Sequence, residues 1–138
     1  MTPAIQQRVT FNASPHQLFR LYMDSKQHSA ATHGKAVVSQ KAGGMFSAFD
    51  GMIKGKTLAM VPNRMIVQSW RAKHWSKADL DSILVLTFSK TKRGAHVDLL
   101  HANVPKHDHQ GVTLGWESYY WKPWRAYLEQ QVGKAGGK

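Results

Sequence analysis

The sequence predicts an α+β fold: a curved antiparallel sheet of about seven strands wrapped around one long C-terminal helix, with two short helices after the first strand. Three features carry that prediction. Between Lys35 and Pro105 the chain reads as strand, turn, strand, repeated at spacings too short for parallel crossovers, which need about a dozen residues. Residues 111–131, GVTLGWESYYWKPWRAYLEQQ, place Val112, Trp116, Tyr119, Tyr120, Trp124 and Tyr127 at intervals of three or four, one broad aromatic stripe on a helix. Near the N-terminus, Ser14 followed by Pro15 is a helix start, because serine caps free amides and proline suits the first helical position.

Taken in order, residues 4–11 (AIQQRVTF) form a first strand. A short helix follows from Ser14, its apolar face made of Leu18, Phe19, Leu21 and Tyr22, and the polar stretch from Asp24 to Thr32 adds a second turn or short helix. The strands KAVVSQ, MFSAF, MIKGKTLAMV, RMIVQSWRA, SILVLTFSK and AHVDLLHANV come next. Their breaks carry turn chemistry: Ala42-Gly43-Gly44, Asp50-Gly51, Pro62-Asn63 and Thr91 to Gly94. Lys73 to Asp81 is a polar connection that places Trp75 at the surface, as a loop anchor or a guard at an entrance. In the last helix, Pro123 removes an amide donor and crowds the preceding turn, which predicts a kink or a break. A sheet with one face to cover and a single long helix to cover it implies a core between them, and a cavity wherever the two do not touch.

The chain has 138 residues, the size of one domain; residues 1–132 are expected to form it, with 133–138 (GKAGGK) a flexible tail. No apolar run is long enough for a membrane span, and the start, MTPAIQQRV, lacks a secretory pattern, so a cytoplasmic location is expected. The absence of cysteine excludes disulfides, thiolate metal sites and a cysteine nucleophile. A net charge of +11 favours anionic partners in general. However, Lys and Arg are scattered, and the densest group, Lys90, Lys92 and Arg93, falls in a turn, so no specific nucleic-acid site is expected.

The order of elements, with Gly43-Gly44 before Phe46, Phe49-Asp50-Gly51 with Gly55, Pro62-Asn63-Arg64 leading to Trp70-Arg71, and Gly115-Trp116 in the last helix, resembles the SRPBCC (START-like, pollen-allergen-like) superfamily. Within it, the chain is most similar to the group named for the activator of the ninety-kilodalton heat-shock protein ATPase. The resemblance runs from Val9 to Leu128. It implies a helix-grip fold with a hydrophobic cavity between sheet and helix, used in that superfamily for lipids, sterols, hormones or polyketides and in a few members for cyclase or dehydratase chemistry. It also implies a heat-shock ATPase as an alternative protein partner; in the co-chaperone a separate N-terminal domain contributes to engaging the chaperone, and none is expected within these 138 residues.

The candidate cavity wall is Phe46, Phe49, Met52, Met60, Trp70, Trp116, Tyr120 and Trp124, where methionine adapts its shape and an aromatic hydroxyl or indole supplies a directional hydrogen bond. Ile66, Gln68 and Trp70 share one face of a strand, so an inward Gln68 needs a partner, and His101 and Asn103 on a neighbouring strand raise the same requirement. Asp98 is expected to face outward and Asp50 to serve its turn. His101, His107 and His109 lack the fixed spacing of a metal site, so neither metal nor cofactor is expected. No nucleophile elbow and no phosphate-binding loop occurs, and no catalytic residue is assigned. The function expected is binding of a small hydrophobic or amphipathic molecule, with a co-chaperone-like interaction module and a cyclase or dehydratase as alternatives.

Overall fold

The computed structural model describes residues 2–136, with side chains as far as Val132. Seven antiparallel strands form one curved sheet in the order β1-β7-β6-β5-β4-β3-β2: β1 Ile5–Phe11, β2 Val37–Val38, β3 Met45–Ala48, β4 Ile53–Val61, β5 Met65–Ala72, β6 Ser82–Lys90 and β7 Ala95–Ala102. Strands β2 to β7 are a meander of the kind their turn residues predict. The first strand closes the far edge against β7, pairing Ile5 with His101 and Phe11 with Ala95. Because β1 and β2 occupy opposite edges, the chain between them crosses the sheet, and α1 (Pro15–Met23) and α2 (Ser25–Thr32) make the crossing.

Both short helices start on side-chain caps. Ser14 Oγ accepts from the Gln17 amide at 3.1 Å while Gln17 Oε1 accepts from the Ser14 amide at 2.7 Å, a reciprocal capping box. Asp24 Oδ2 accepts from the Gln27 amide at 3.0 Å and starts α2 directly after α1 ends. The amphipathic α1 then turns Leu18, Leu21, Tyr22 and Met23 into the core.

The sheet's concave face follows the two-residue period of its strands: Ile66, Gln68, Trp70 and Ala72 from β5, Ser82, Leu84, Leu86 and Phe88 from β6, and Ala95, Val97, Leu99 and His101 from β7 are all buried. A bulge between Thr57 and Ala59 interrupts the β4–β5 pairing and leaves Leu58 exposed. Gly55 sits where β3, β4 and β5 press together: a Cβ there would meet the Phe46 ring at 2.6 Å and collide with the Ser69 carbonyl. Asp98 does face outward, paired with Arg8 at 2.7 Å.

The C-terminal helix lies on this concave face. A 3₁₀ turn, Lys106–Asp108, leads into α3 (His109–Trp116), a π-helical turn (Glu117–Trp121) and α4 (Lys122–Gly136) without a break. Just before Pro123 the α pattern is interrupted by the π-helical turn, and the helix then runs on. Pro123 cannot donate to the Tyr119 carbonyl, and its ring crowds that carbonyl; the chain responds one turn earlier, where the Lys122 amide reaches back five residues to Glu117 O. Side chains five apart come into line across such a turn, so Trp116 and Trp121 stack with ring centres 5.5 Å apart. The buried stripe is therefore Val112, Trp116, Tyr120, Trp121 and Trp124, whereas Tyr119, expected in it, is 61% exposed. Of the expected tail, 133–138, the helix takes in residues as far as Gly136, and residues 137–138 lie outside the described residues. No helix among the described residues is long and apolar enough to cross a membrane.

Candidate functional site

A cleft of about 440 Å³ opens at the α3 end of the helix. Its floor is Trp70 and Ala72 of β5. One side is the helix, through Val112, Gly115, Trp116, Tyr119 and Tyr120; the other is the β3–β4 connection, through Phe49, Met52 and Ile53; His74, Asp108 and Gly111 close one end. The rings form a continuous wall: Trp70 to Trp116 at 6.3 Å, Trp116 to Tyr120 at 4.7 Å, and Phe49 edge-on to Tyr120 at 5.6 Å and to Tyr119 at 5.9 Å. Phe49 holds this place at a backbone cost. The turn after β3 has Phe49 at φ 51°, Asp50 at φ 55° and Gly51 at φ 88°, three left-handed residues in a row, the first of them bulky.

Of the residues singled out from sequence, Phe49, Met52, Trp70, Trp116 and Tyr120 come together around this cleft. Phe46, Met60, Gln68, His101 and Trp124 do not line it. Phe46 is buried on β3 beside Gly55, and Met60 is half-buried beyond the bulge. Trp124 is enclosed by Phe11 at 5.8 Å, Trp121 at 5.3 Å and Tyr22 at 6.4 Å. Gln68 does point inward, and protein groups meet its requirement: the Tyr22 hydroxyl donates to Oε1 at 2.7 Å, and Nε2 donates to Thr57 Oγ1 at 3.1 Å. Asn103 is exposed and donates to Asp81 O.

His101 is fully buried beside Ser82, a pairing that superficially suggests a nucleophile and its base. The protons run the other way. Ser82 Oγ donates to Trp70 O at 2.7 Å, so its contact of 2.8 Å with His101 Nε2 has the imidazole as donor, while His101 Nδ1 accepts from Trp116 Nε1 at 3.1 Å. Burial, with a smaller contribution from the nearby His109, pushes the His101 pKa down to about 3, so the ring stays neutral. Its role is to fix Trp70 and Trp116, two walls of the cleft. A second buried imidazole does the same for Tyr120. His28 Nδ1 donates to the Tyr22 carbonyl at 2.8 Å, which leaves Nε2 to accept from the Tyr120 hydroxyl at 3.1 Å. Burial lowers the His28 pKa against the opposing pull of that carbonyl, and burial raises the Tyr120 pKa, so this pair is neutral too.

The polar end of the cleft was not foreseen. Trp75, expected at the surface, is only 6% exposed, and its Nε1 donates to Asp108 Oδ2 at 2.8 Å. His74 Nε2 shares that oxygen at 3.1 Å, and His107 Nε2 reaches back to Asp79 Oδ2 at 2.8 Å, so the β5–β6 connection and the 3₁₀ turn are tied by two crossed His–Asp contacts. The His107 bond, followed by the Ser76 amide, lowers the Asp79 pKa. The His-Asp-His run at 107–109 was the available signal; its aspartate, between two histidines read for metal, is the residue that matters. His109 Nε2 instead meets Pro3 O at 2.9 Å, and among the described residues no three such side chains converge on a metal position.

The family model for activator of Hsp90 ATPase homolog 1-like proteins matches residues 12–129. The chain belongs to that family. A human relative, "Activator of 90 kDa heat shock protein ATPase homolog 1", is 29% identical over 121 residues, covering 88% of this chain and 36% of the relative. A Dictyostelium discoideum relative of like name is 26% identical, covering 84% and 30%. The chain thus spans about a third of the length of these relatives. Among solved structures, an HSP90 activator from Plasmodium falciparum superposes with a TM-score of 0.80 at 24% identity, covering 91% of this chain and 96% of that one. A Mesorhizobium loti protein gives 0.80 at 20% identity, covering 93% and 98%. These structural likenesses show the fold that this member of the family adopts.

Proposed function

We propose that the chain binds a small hydrophobic or amphipathic molecule in the cleft between α3, the π-helical turn and the β3–β5 end of the sheet. The observation that carries this reading is the cleft itself: about 440 Å³ walled by Phe49, Trp70, Trp116, Tyr119 and Tyr120, a size and lining suited to a small ligand. Met52 at the lip is 49% exposed, and its unbranched side chain adapts to what it covers. Support also comes from the buried histidines, which hold Trp116 and Tyr120 in fixed orientations, so little ordering remains to be done on binding. The test is native mass spectrometry and organic extraction of freshly purified protein, with Gly115→Leu as the blocking variant. Gly115 lines the cleft, and a Cβ there meets only Tyr119 at 3.5 Å, so a leucine occupies ligand space while favouring the helix. A ligand at a hundredfold excess over its Kd stabilises the parent by about 2.7 kcal/mol; the variant should fold and show no such stabilisation. No co-purifying apolar molecule, and no melting shift from any ligand of a broad panel, would refute the reading.

A second reading rests on the relatives, several of which are named as activators of the 90 kDa heat shock protein ATPase. On that reading the chain is an interaction module for a heat-shock ATPase, and it predicts capture of such a chaperone by the immobilised protein at low salt. The Gly115→Leu variant separates the two readings, since filling the cleft leaves the outer surface unchanged.

A further inference from the structure

We infer that the cleft selects a hydrophobic amine: an apolar body against the rings and a protonated nitrogen at Asp108. This rests on the cleft being a ligand site and names the class of ligand it takes. The chain holds 19 Lys and Arg against 8 Asp and Glu, yet the groups lining the cleft include one carboxylate, Asp108, and no lysine or arginine. A site for fatty acids or other carboxylates in so basic a chain would have a lysine or arginine near at hand; here the wall holds a carboxylate, and the imidazole beside it, His74, is already turned to its Oδ2.

The carboxylate is also presented for use. Its Oδ2 accepts from both Trp75 Nε1 and His74 Nε2, which fixes its orientation, while among the described residues no donor is bonded to Oδ1. Asp108 precedes α3 without capping it, so the helix's own amides leave that oxygen free. The helix residue next to it is Gly111, where a Cβ would stand 2.8 Å from Oδ1. The absence of a side chain there keeps the oxygen open to the cleft. With its side chain 18% exposed, Asp108 is largely out of bulk water, where a charge-assisted hydrogen bond from an ammonium group gains strength.

Decylamine, decanol and decanoate share one apolar chain and separate the head groups. Each is titrated into the full chain below its aggregation threshold, at physiological salt, with binding read by isothermal calorimetry. Decylamine should bind about tenfold more tightly than decanol, the scale of one charge-assisted hydrogen bond, and decanoate most weakly. The overall charge of +11 pulls the other way, so a preference for the amine has to arise locally. Asp108→Asn should bring decylamine to the level of decanol and leave decanol unchanged. Because Asp108 also holds Trp75, Gly111→Ala is the second variant: alanine favours the helix and keeps the carboxylate, and its Cβ, which would stand 2.8 Å from Oδ1, forces that oxygen to shift and crowds it. It too should lose the preference for the amine. Equal binding of amine and alcohol, tighter binding of decanoate, or an amine preference that survives both variants would overturn the inference while leaving the cleft a ligand site. Failure of all three probes to bind would overturn the inference, and the reading beneath it falls as well only if the broad panel also gives no melting shift.

Discussion

Beneath Trp124 the space between sheet and helix is filled, and beneath Trp116 it opens. The same two layers, strands and helix, make both ends, and the difference lies in what is brought between them. At the filled end α1 inserts Leu18 and Tyr22, whose hydroxyl satisfies Gln68, and Phe11 of β1 closes against Trp121 and Trp124. At the open end neither short helix lines the space; a strained hairpin turn reaches in with Phe49, and α3 presents Gly111 and Gly115 where larger residues would fill the gap. If the cleft is the ligand site proposed, stability and binding belong to different ends of one interior.

The sharpest way to break that division is to cut each end and compare. Trp124→Ala removes a fully buried indole from the filled end and should cost about 3–5 kcal/mol, the usual scale for a large aromatic in a core, measured by denaturant unfolding. A cost below about 1 kcal/mol would mean that the filled end is not where the fold is held.

Next in size is the response to acid. His101 titrates near 3 in the fold against about 6.5 in an unfolded chain, so below about pH 6.5 the unfolded state binds the extra proton and stability falls with pH. The contribution is complete above that pH and shrinks by about 1.4 kcal/mol per unit below it, or about 2 kcal/mol between pH 6.5 and 5. His28, also lowered by burial, adds in the same direction. His101→Asn should flatten most of this slope whatever it does at neutral pH. A slope unchanged in that variant would place the acid sensitivity elsewhere.

Much of this was legible in the sequence, and the rest was hidden for identifiable reasons. The meander follows from turn residues that act locally, and the inward face of β5 follows from the alternation of Ile66, Gln68 and Trp70. The helix start at Ser14-Pro15 is likewise a local signal, to which the structure adds the reciprocal bond with Gln17. What was missed depends on distant contacts. Trp75 is buried because its indole meets a carboxylate 33 positions later, which no periodicity in a polar connection announces. Tyr119 and Trp121 exchanged places because Pro123 was accommodated by a five-residue hydrogen bond, which breaks the regular 3.6-residue period across residues 117–121. Gln68 and His101 do lie indoors, where the sequence asked for partners, but those partners, Tyr22, Thr57, Ser82 and Trp116, come from four other elements.

The smallest expected effect is the most informative about the open end. Tyr119 packs edge-on to Phe49 at 5.9 Å yet remains 61% exposed, so Tyr119→Ala removes cleft wall and little core. Its stability cost should stay within about 0.5 kcal/mol, the range of surface substitutions. Phe49, freed of one neighbour, still has Tyr120 at 5.6 Å to hold its ring. If the cost instead approached that of Trp124→Ala, the lip would be part of the load that keeps sheet and helix together, and a ligand could not enter without loosening the fold. A near-neutral result fits an opening that forms after the core is already complete.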